Sequence, residues 1–262
     1  MDDVVIQKVA GRVAELVFNR PESLNALDTR LMRDFAETVR RVEQDDAIGC
    51  VVLTGAGRGF CAGGDVKAIA TAAAAREQGS EPRKTSFEGR VRWLRHSVEA
   101  SRRLFEMGKP TIAMINGPCA GAGLSIAGAC DLRFAGRSAS FVSAFTRGGV
   151  PGDYGGSWFW TQILGTAKAR ELYFLSEKMD AEQALAFGLV HRVHDDDALR
   201  GAVMAVAERL AALPPTTLAY TKNNLNAAVT TGLSALLDRE SLNMTLARNA
   251  LIEANKARKA ES

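Results

Sequence analysis

The sequence predicts an α/β protein, with a mostly parallel sheet in its first two thirds and a helical C-terminal region. Three observations carry that expectation. Short apolar runs alternate with segments of helical periodicity, the pattern of strands joined through helices. Two of those runs end in turns rich in glycine and alanine, at residues 59–66 and 116–123. From Ser157 onward the pattern is helical, interrupted by residues 189–193.

Taken in order, residues 4–9 and 13–18 alternate or run apolar around Ala10-Gly11-Arg12, which reads as a hairpin. Asp28 suits the N-cap of a helix whose apolar residues Leu31, Phe35, Val39 and Val42 recur at helical spacing. Residues 50–54 form the next strand and lead into the first glycine turn. Residues 70–90 are alanine-rich and then polar, and read as a mobile surface segment. A long helix over 88–106 precedes a strand at 110–115 and the second turn. Residues 123–128 read as a buried helix, followed by strands at 131–135 and near Phe141, with Asp131 assigned a structural part. Pro214-Pro215 can open a helix, because proline is tolerated in a first turn. Residues 233–259 close the chain as a helix with several cations on its polar side. Without an internal repeat or a low-complexity linker, the last third reads as an appended helical region.

Composition narrows the function. A length of 262 residues suits one large domain, alone or with a helical extension. A hydrophobic share of 47% against 24% charged argues against disorder. No apolar run reaches the roughly 18 residues of a membrane helix, and the acidic start Met1-Asp2-Asp3 runs straight into a strand pattern, unlike a signal peptide. A cytoplasmic protein is therefore expected. The net charge of +3 is spread along the chain rather than gathered in a stripe, which argues against a nucleic-acid partner. Cys50, Cys61, Cys119 and Cys130 lie in or beside apolar segments without C-x-x-C spacing, as buried free thiols do. His96, His191 and His194 are too scattered for a metal centre, and none is expected.

Two motif readings fail on spacing. Gly55-Ala56-Gly57-Arg58-Gly59-Phe60 and Gly121-Ala122-Gly123-Leu124-Ser125-Ile126 both lack the third glycine of a dinucleotide fingerprint. Gly123-Leu124-Ser125-Ile126-Ala127 looks like a nucleophile elbow, but Ser125 falls inside the expected helix rather than at the strand-to-helix turn. The two glycine turns suit different chemistry. Small residues let the backbone approach a ligand closely, and one N–H from each turn could meet a single oxygen. That is an oxyanion hole, built where a carbonyl gains negative charge.

Around these turns the chain carries Asn19-Arg20-Pro21 and Asn25-Ala26-Leu27, then Gly59-Phe60-Cys61-Ala62-Gly63-Gly64-Asp65 and Asn116-Gly117-Pro118-Cys119-Ala120-Gly121-Ala122-Gly123. Gly148-Gly149-Val150-Pro151-Gly152-Asp153-Tyr154-Gly155-Gly156 follows, and later Asp180-Ala181 with Gly188-Leu189-Val190. In this order, over essentially the whole length, the chain resembles the crotonase (enoyl-CoA hydratase/isomerase) superfamily. The resemblance implies a crotonase-like core of ββα repeats carrying an acyl-CoA site over 1–195, and a helical region over 196–262 that takes part in oligomerisation. It also implies a homotrimer or hexamer, and no cofactor beyond the coenzyme A of the substrate.

Carried over residue by residue, the resemblance assigns the oxyanion N–H groups to Gly64 and Ala122. It assigns the coenzyme A channel to Ala26, Ala62, Asp65, Val66 and Lys67, with Lys67 or Arg20 available to the phosphates. The hydratases of the family use two glutamates. Ser125 stands at the first position, and residues 141–145, which match the second, contain no carboxylate. Asp153 remains, where some relatives keep a lone acid. One carboxylate can remove an α-proton and return it at the γ-carbon, so the resemblance implies a double-bond isomerase with Asp153 as base. A simple helix-capping part for Asp153, an atypical hydratase and a non-catalytic acyl-CoA-binding protein stay open. Ser125, Ser143, Tyr154 and Trp158 are expected to line the acyl pocket.

Overall fold

A computed structural model describes residues 3–65 and 86–260 of the chain. The hairpin forms as expected: β1 (Val5–Ala10) and β2 (Val13–Phe18) pair antiparallel, Val5 opposite Phe18. Helix α1 (Thr29–Gln44) starts where the Asp28 carboxylate accepts the Leu31 N–H at 2.7 Å, a cap worth about 1 kcal/mol. Its expected apolar face, Leu31, Phe35, Val39 and Val42, is buried. Strand β3 (Cys50–Gly55) lies parallel to β2.

The single helix expected over 88–106 is two: α2 (Phe87–Ser97) and α3 (Glu99–Glu106). The Ser97 hydroxyl donates to the Trp93 carbonyl at 3.0 Å, a back-bond that bends helices, and Val98 turns the chain with φ −73° and ψ −7°. Of the segment expected to be mobile over 70–90, residues 70–85 lie outside the described residues. Its end is ordered helix, opened by Ser86, whose hydroxyl accepts the Gly89 N–H at 3.0 Å.

Strands β4 (Thr111–Ile115), β5 (Cys119–Ala120), β6 (Leu132–Gly136) and β7 (Ser140–Val142) follow, with α4 (Ala122–Ala129) between β5 and β6. Then come α5 (Gly156–Leu175), β8 (Met179–Asp180), α6 (Ala181–Phe187) and β9 (Arg192–His194). Helices α7 (Asp196–Ala211), α8 (Pro215–Ala228) and α9 (Leu233–Ala260) close the chain. The main sheet has the order β1-β2-β3-β4-β6-β9 and is parallel apart from the hairpin. A small sheet, β5-β7-β8, stands beside it.

The period of two along a strand divides the core. Leu16, Phe18, Val51, Leu53, Ala113 and Ile115 face the larger cluster, with α1, α3 and α4. Val13, Cys50, Val52, Ile112, Met114 and Phe134 face the other side, where Leu199, Val203, Ala207 and Ala211 of α7 cover them. The boundary expected at 195/196 thus falls just before a helix seated on the sheet. Arg200 of α7 also pairs with Glu15, which is buried on β2. Helix α8 is fastened by the buried Lys222, whose ammonium donates to Leu104 O at 2.8 Å and meets Asp131 Oδ2 at 2.9 Å. The same Asp131 oxygen accepts the Thr111 N–H at 2.7 Å, a structural part for that acid.

Candidate active site

The parallel strands β3 and β4 end side by side, so the two glycine turns leave the sheet as neighbours. Asn116 joins them, donating from Nδ2 to Gly55 O at 2.8 Å and to Gly57 O at 2.9 Å. Asn25 holds the first turn from below, donating to Gly59 O at 2.7 Å and Ala56 O at 3.0 Å. A short parallel bridge then zips the turns together. Pro118 O accepts the N–H groups of Phe60 and Cys61 at 3.1 Å each, and Cys61 O accepts the Ala120 N–H at 2.9 Å.

Past this bridge the turns touch. At Gly63, φ is +89°, and a Cβ built there would lie 2.9 Å from Ala120 O and 3.4 Å from Ala122 N. Only glycine takes that conformation and that spacing without strain. Gly63 O accepts the Leu27 N–H at 2.7 Å, and Leu27 O accepts the Asp65 N–H at 3.1 Å. Because the intervening peptide is planar and trans, the Gly64 N–H is turned away from Leu27. Ala122 is the first residue of α4, and its N–H is among those a helix leaves without an intrahelical partner. The positive end of the helix dipole adds to the pull on a negative charge there.

Asp153 lies in the loop before α5 and does not cap it. The N-cap is Gly155, with no side-chain hydrogen bond. The Asp153 backbone carbonyl accepts the Gly156 N–H at 3.1 Å, while Oδ1 of its side chain is buried without a hydrogen-bond partner among the described residues. Burial pushes this carboxyl up to about 6. Its charge bears on the Cys61 thiol of the first turn, which burial already pushes up to about 12. It bears also on the phenols of Tyr154 and Tyr173, both pushed up mainly by burial. The loop is bent hard, with φ +111° at Gly152, +51° at Tyr154 and +73° at Gly155. A non-glycine residue in the left-handed region is costly, and such residues cluster at functional sites.

The Tyr154 hydroxyl is also buried without a hydrogen-bond partner among the described residues, and the buried Tyr173 hydroxyl interacts with that of Ser125. The hydroxyls of Ser125 and Tyr173 crowd the Cα of Gly156, where a Cβ would come within 2.1 Å of one and 2.4 Å of the other. Tyr173 is the residue that sequence reading missed. It sits near the end of α5, stacked on Phe145 at 5.9 Å, and in the sequence it looks like any aromatic on a helix.

Comparison with known proteins assigns the chain to a family. A family model described as enoyl-CoA hydratase/isomerase matches residues 8–251. The chain belongs to the enoyl-CoA hydratase/isomerase family. It is 36% identical over 240 residues to the 1,2-epoxyphenylacetyl-CoA isomerase of Escherichia coli K12, covering 92% of this chain and 88% of that protein. The short-chain-enoyl-CoA hydratase of Clostridium acetobutylicum is 29% identical over 92% of this chain and 87% of its own. Among solved structures, an enoyl-CoA hydratase from Polaromonas sp. JS666 matches with a TM-score of 0.81 at 29% identity, over 92% of this chain and 90% of that one. The chain is thus an acyl-CoA-processing enzyme of the enoyl-CoA hydratase/isomerase type with the crotonase fold.

Within that family frame, other expected residues divide. Ala26 is buried, Ala62 donates its N–H to Leu24 O at 3.0 Å, and Asp65 borders them. Val66 and Lys67 lie outside the described residues. Arg20, expected as a phosphate partner, is engaged within the protein: it pairs with Asp65 at 3.1 Å and Asp28 at 3.4 Å and donates to Ala26 O. Its charge staples the two channel loops together. Ser143 is spent on Leu172 O at 2.8 Å and the Ser176 hydroxyl at 2.6 Å. The serine-hydrolase reading finds no support, since Ser125 is a helix residue and His191 accepts the Arg133 N–H at the sheet edge.

Proposed function

We propose that this enzyme shifts the double bond of an enoyl-CoA thioester, using Asp153 as its single base and the N–H groups of Gly64 and Ala122 as an oxyanion hole. The ionised carboxylate takes a proton from the α-carbon of a 3-enoyl thioester. The electron pair runs to the thioester oxygen, which the two N–H groups stabilise as a dienolate. Protonated Asp153 then returns its proton to the γ-carbon, leaving the conjugated 2-enoyl thioester. No water is consumed and no cofactor is needed beyond the coenzyme A of the substrate. Ala26, Ala62 and Asp65, with Val66 and Lys67, would line the channel for that coenzyme A, and Ser125 and Tyr154 the acyl pocket.

The observation that carries this reading is the buried Asp153 oxygen, unpaired among the described residues, with its carboxyl raised to about 6. A base near the operating pH combines ionisation with proton affinity. The relative named a 1,2-epoxyphenylacetyl-CoA isomerase shares only the broader class, isomerisation of a CoA thioester without net addition of water. Asp153→Asn keeps the shape and removes the basicity. Conversion of 3-enoyl-CoA, followed by the absorbance of the conjugated thioester, is expected to fall by about 10²–10⁴, with binding of a saturated acyl-CoA unchanged within about threefold. In the native enzyme the rate is expected to rise with pH through about 6 and then level, because the base must be ionised. Wild-type turnover by the Asn variant would remove Asp153 from the chemistry. Conversion of 2-enoyl-CoA to a 3-hydroxyacyl product would instead favour hydration, for which the facing hydroxyls of Ser125 and Tyr173 offer a water site.

A further inference from the structure

Gly156 and Tyr173 belong to one helix, α5, and a straight helix would hold them about 25 Å apart. The helix is not straight. At Gly165 the backbone takes φ +76° and ψ 166°, a conformation open to glycine and strained for other residues, and the second half of α5 returns toward the first. Tyr173 is thereby laid along the Asp153 loop. Its ring stacks on Phe145 at an interplanar angle of 16°. Both rings press on the Cα of Gly152, where a Cβ would lie 3.3 Å from Tyr173 Cε1 and 3.5 Å from Phe145 Cδ2. The buried hydroxyl at the far end of the Tyr173 ring reaches the Cα of Gly156. One side chain therefore touches both ends of the turn that carries the proposed base.

The same hydroxyl meets a second element. Ser125 of α4 comes to the same point over Gly156, and the two hydroxyls interact. Ser125 Oγ in turn lies 3.5 Å from Gly121 O, at the long limit for a donated hydrogen bond; that carbonyl also accepts the Ser125 N–H at 3.1 Å. It belongs to the planar peptide whose N–H is that of Ala122, the second donor of the proposed oxyanion hole. A hydrogen bond accepted by a peptide oxygen polarises the whole amide and strengthens its N–H as a donor. It also fixes the plane in which that N–H points.

We propose that Tyr173 is a positioning residue for the reaction: through Ser125 it holds the Asp153 loop and the Gly121–Ala122 peptide at a fixed separation. The proposal rests on the reading of Asp153 as base and Ala122 as oxyanion donor, and adds what keeps the two in register. That register matters because the proton leaves the α-carbon while charge gathers on the thioester oxygen, two bonds away. A base and a donor set independently could each be well placed and still miss the same substrate pose. A misplacement of about 1 Å between such groups costs on the order of 10²-fold in rate.

The test uses the full-length protein. Tyr173→Phe keeps the stack on Phe145 and the packing on Gly152 and removes only the hydroxyl. With 3-enoyl-CoA its kcat is expected to fall about tenfold while KM stays within about threefold. Ser125→Ala is expected to lower kcat by a similar factor. The double variant should lose no more than the worse single one, because both substitutions break the same chain of contacts. A second readout needs no turnover. Acetoacetyl-CoA ionises to an enolate with its own ultraviolet absorbance, and an oxyanion hole favours that form. The share of bound ligand present as enolate at pH 7.5 is expected to drop in both single variants. Native kcat in Tyr173→Phe, losses that multiply in the double variant, or an enolate share unchanged by either substitution overturns the proposal. A native protein that turns over no 3-enoyl-CoA, yet loses bound enolate in both variants, would keep the part assigned to Tyr173 and remove the isomerase reading. Isomerase activity indifferent to Tyr173→Phe would do the reverse.

Discussion

At Asp153 the protein keeps a carboxyl in surroundings that disfavour its charge, and that choice is visible in stability as well as in rate. Its value in the fold is about 6, against roughly 3.9 for an aspartate in an unfolded chain. The folded state therefore binds the proton more tightly. Below about pH 4 both states are protonated and there is no penalty. As pH rises through the window from about 4 to 6 the unfolded state ionises first, and stability falls until the folded carboxyl ionises too. Above that window the penalty is complete, on the order of 1–3 kcal/mol once partial solvent access is allowed for. Asp153→Asn removes the charge, so the variant is expected to melt higher than the native protein at pH 7.5 and at the same temperature near pH 4. Calorimetric scans at the two values check this. A native protein that is as stable as the variant at pH 7.5 would mean that the carboxylate has found a partner. A base stabilised in that way would lose the proton affinity the reaction requires, which is the trade of stability for activity seen at active sites.

The elements around that residue were legible in the sequence to different depths. Strands β3 and β4 rest on continuous apolar runs, β2 on one interrupted by Glu15 alone, and Asp28 with its helical spacing announces α1, because burial and capping act locally. The two glycine turns were also visible, but not why glycine is needed. At Gly63 the reason is tertiary: the second turn passes within a Cβ's reach, at Ala120 O and Ala122 N. Gly63→Ala is accordingly expected to push the turns apart and cost about 10²–10³ in turnover. Its melting temperature should fall by no more than a 1–2 kcal/mol loss implies, since the strands behind the turns are untouched. Steady-state rates and melting curves separate the two effects, and a rate within twofold of native would detach the turn pair from the chemistry. The break at Val98 was not legible, since Ser97 back-bonding depends on a rotamer and leaves no periodic mark. Neither was Tyr173, which enters the site only because α5 runs past the Asp153 loop. Arg20 misled for a related reason: a cation beside a ligand loop looks free until Asp28 and Asp65 are seen folding onto it.

Over the whole molecule, the C-terminal helices carry more apolar surface than this chain alone covers. Helix α9 is 28 residues long, a rod of about 42 Å. On one side it is held to α8 by Asn243, which donates to the side-chain oxygens of Asn223 and Asn224. Leu233, Leu237, Met244 and Leu251 recur at spacings of four and seven, and so share another face. They are 72%, 51%, 57% and 37% exposed. A sustained exposed apolar stripe of this kind marks an interaction surface. We propose that the stripe meets other copies of this chain, in the trimer or hexamer that its family resemblance implies. Light scattering is then expected to give a mass near three or six times the 28.1 kDa of one chain. Leu237→Lys with Met244→Lys places two cations in the stripe without touching the core, since both side chains face outward. That variant should keep the native circular dichroism while its mass falls toward a single chain. A native protein of monomeric mass, or a double variant that assembles unchanged, would assign the stripe to some other role and leave α9 fastened to its own protomer alone.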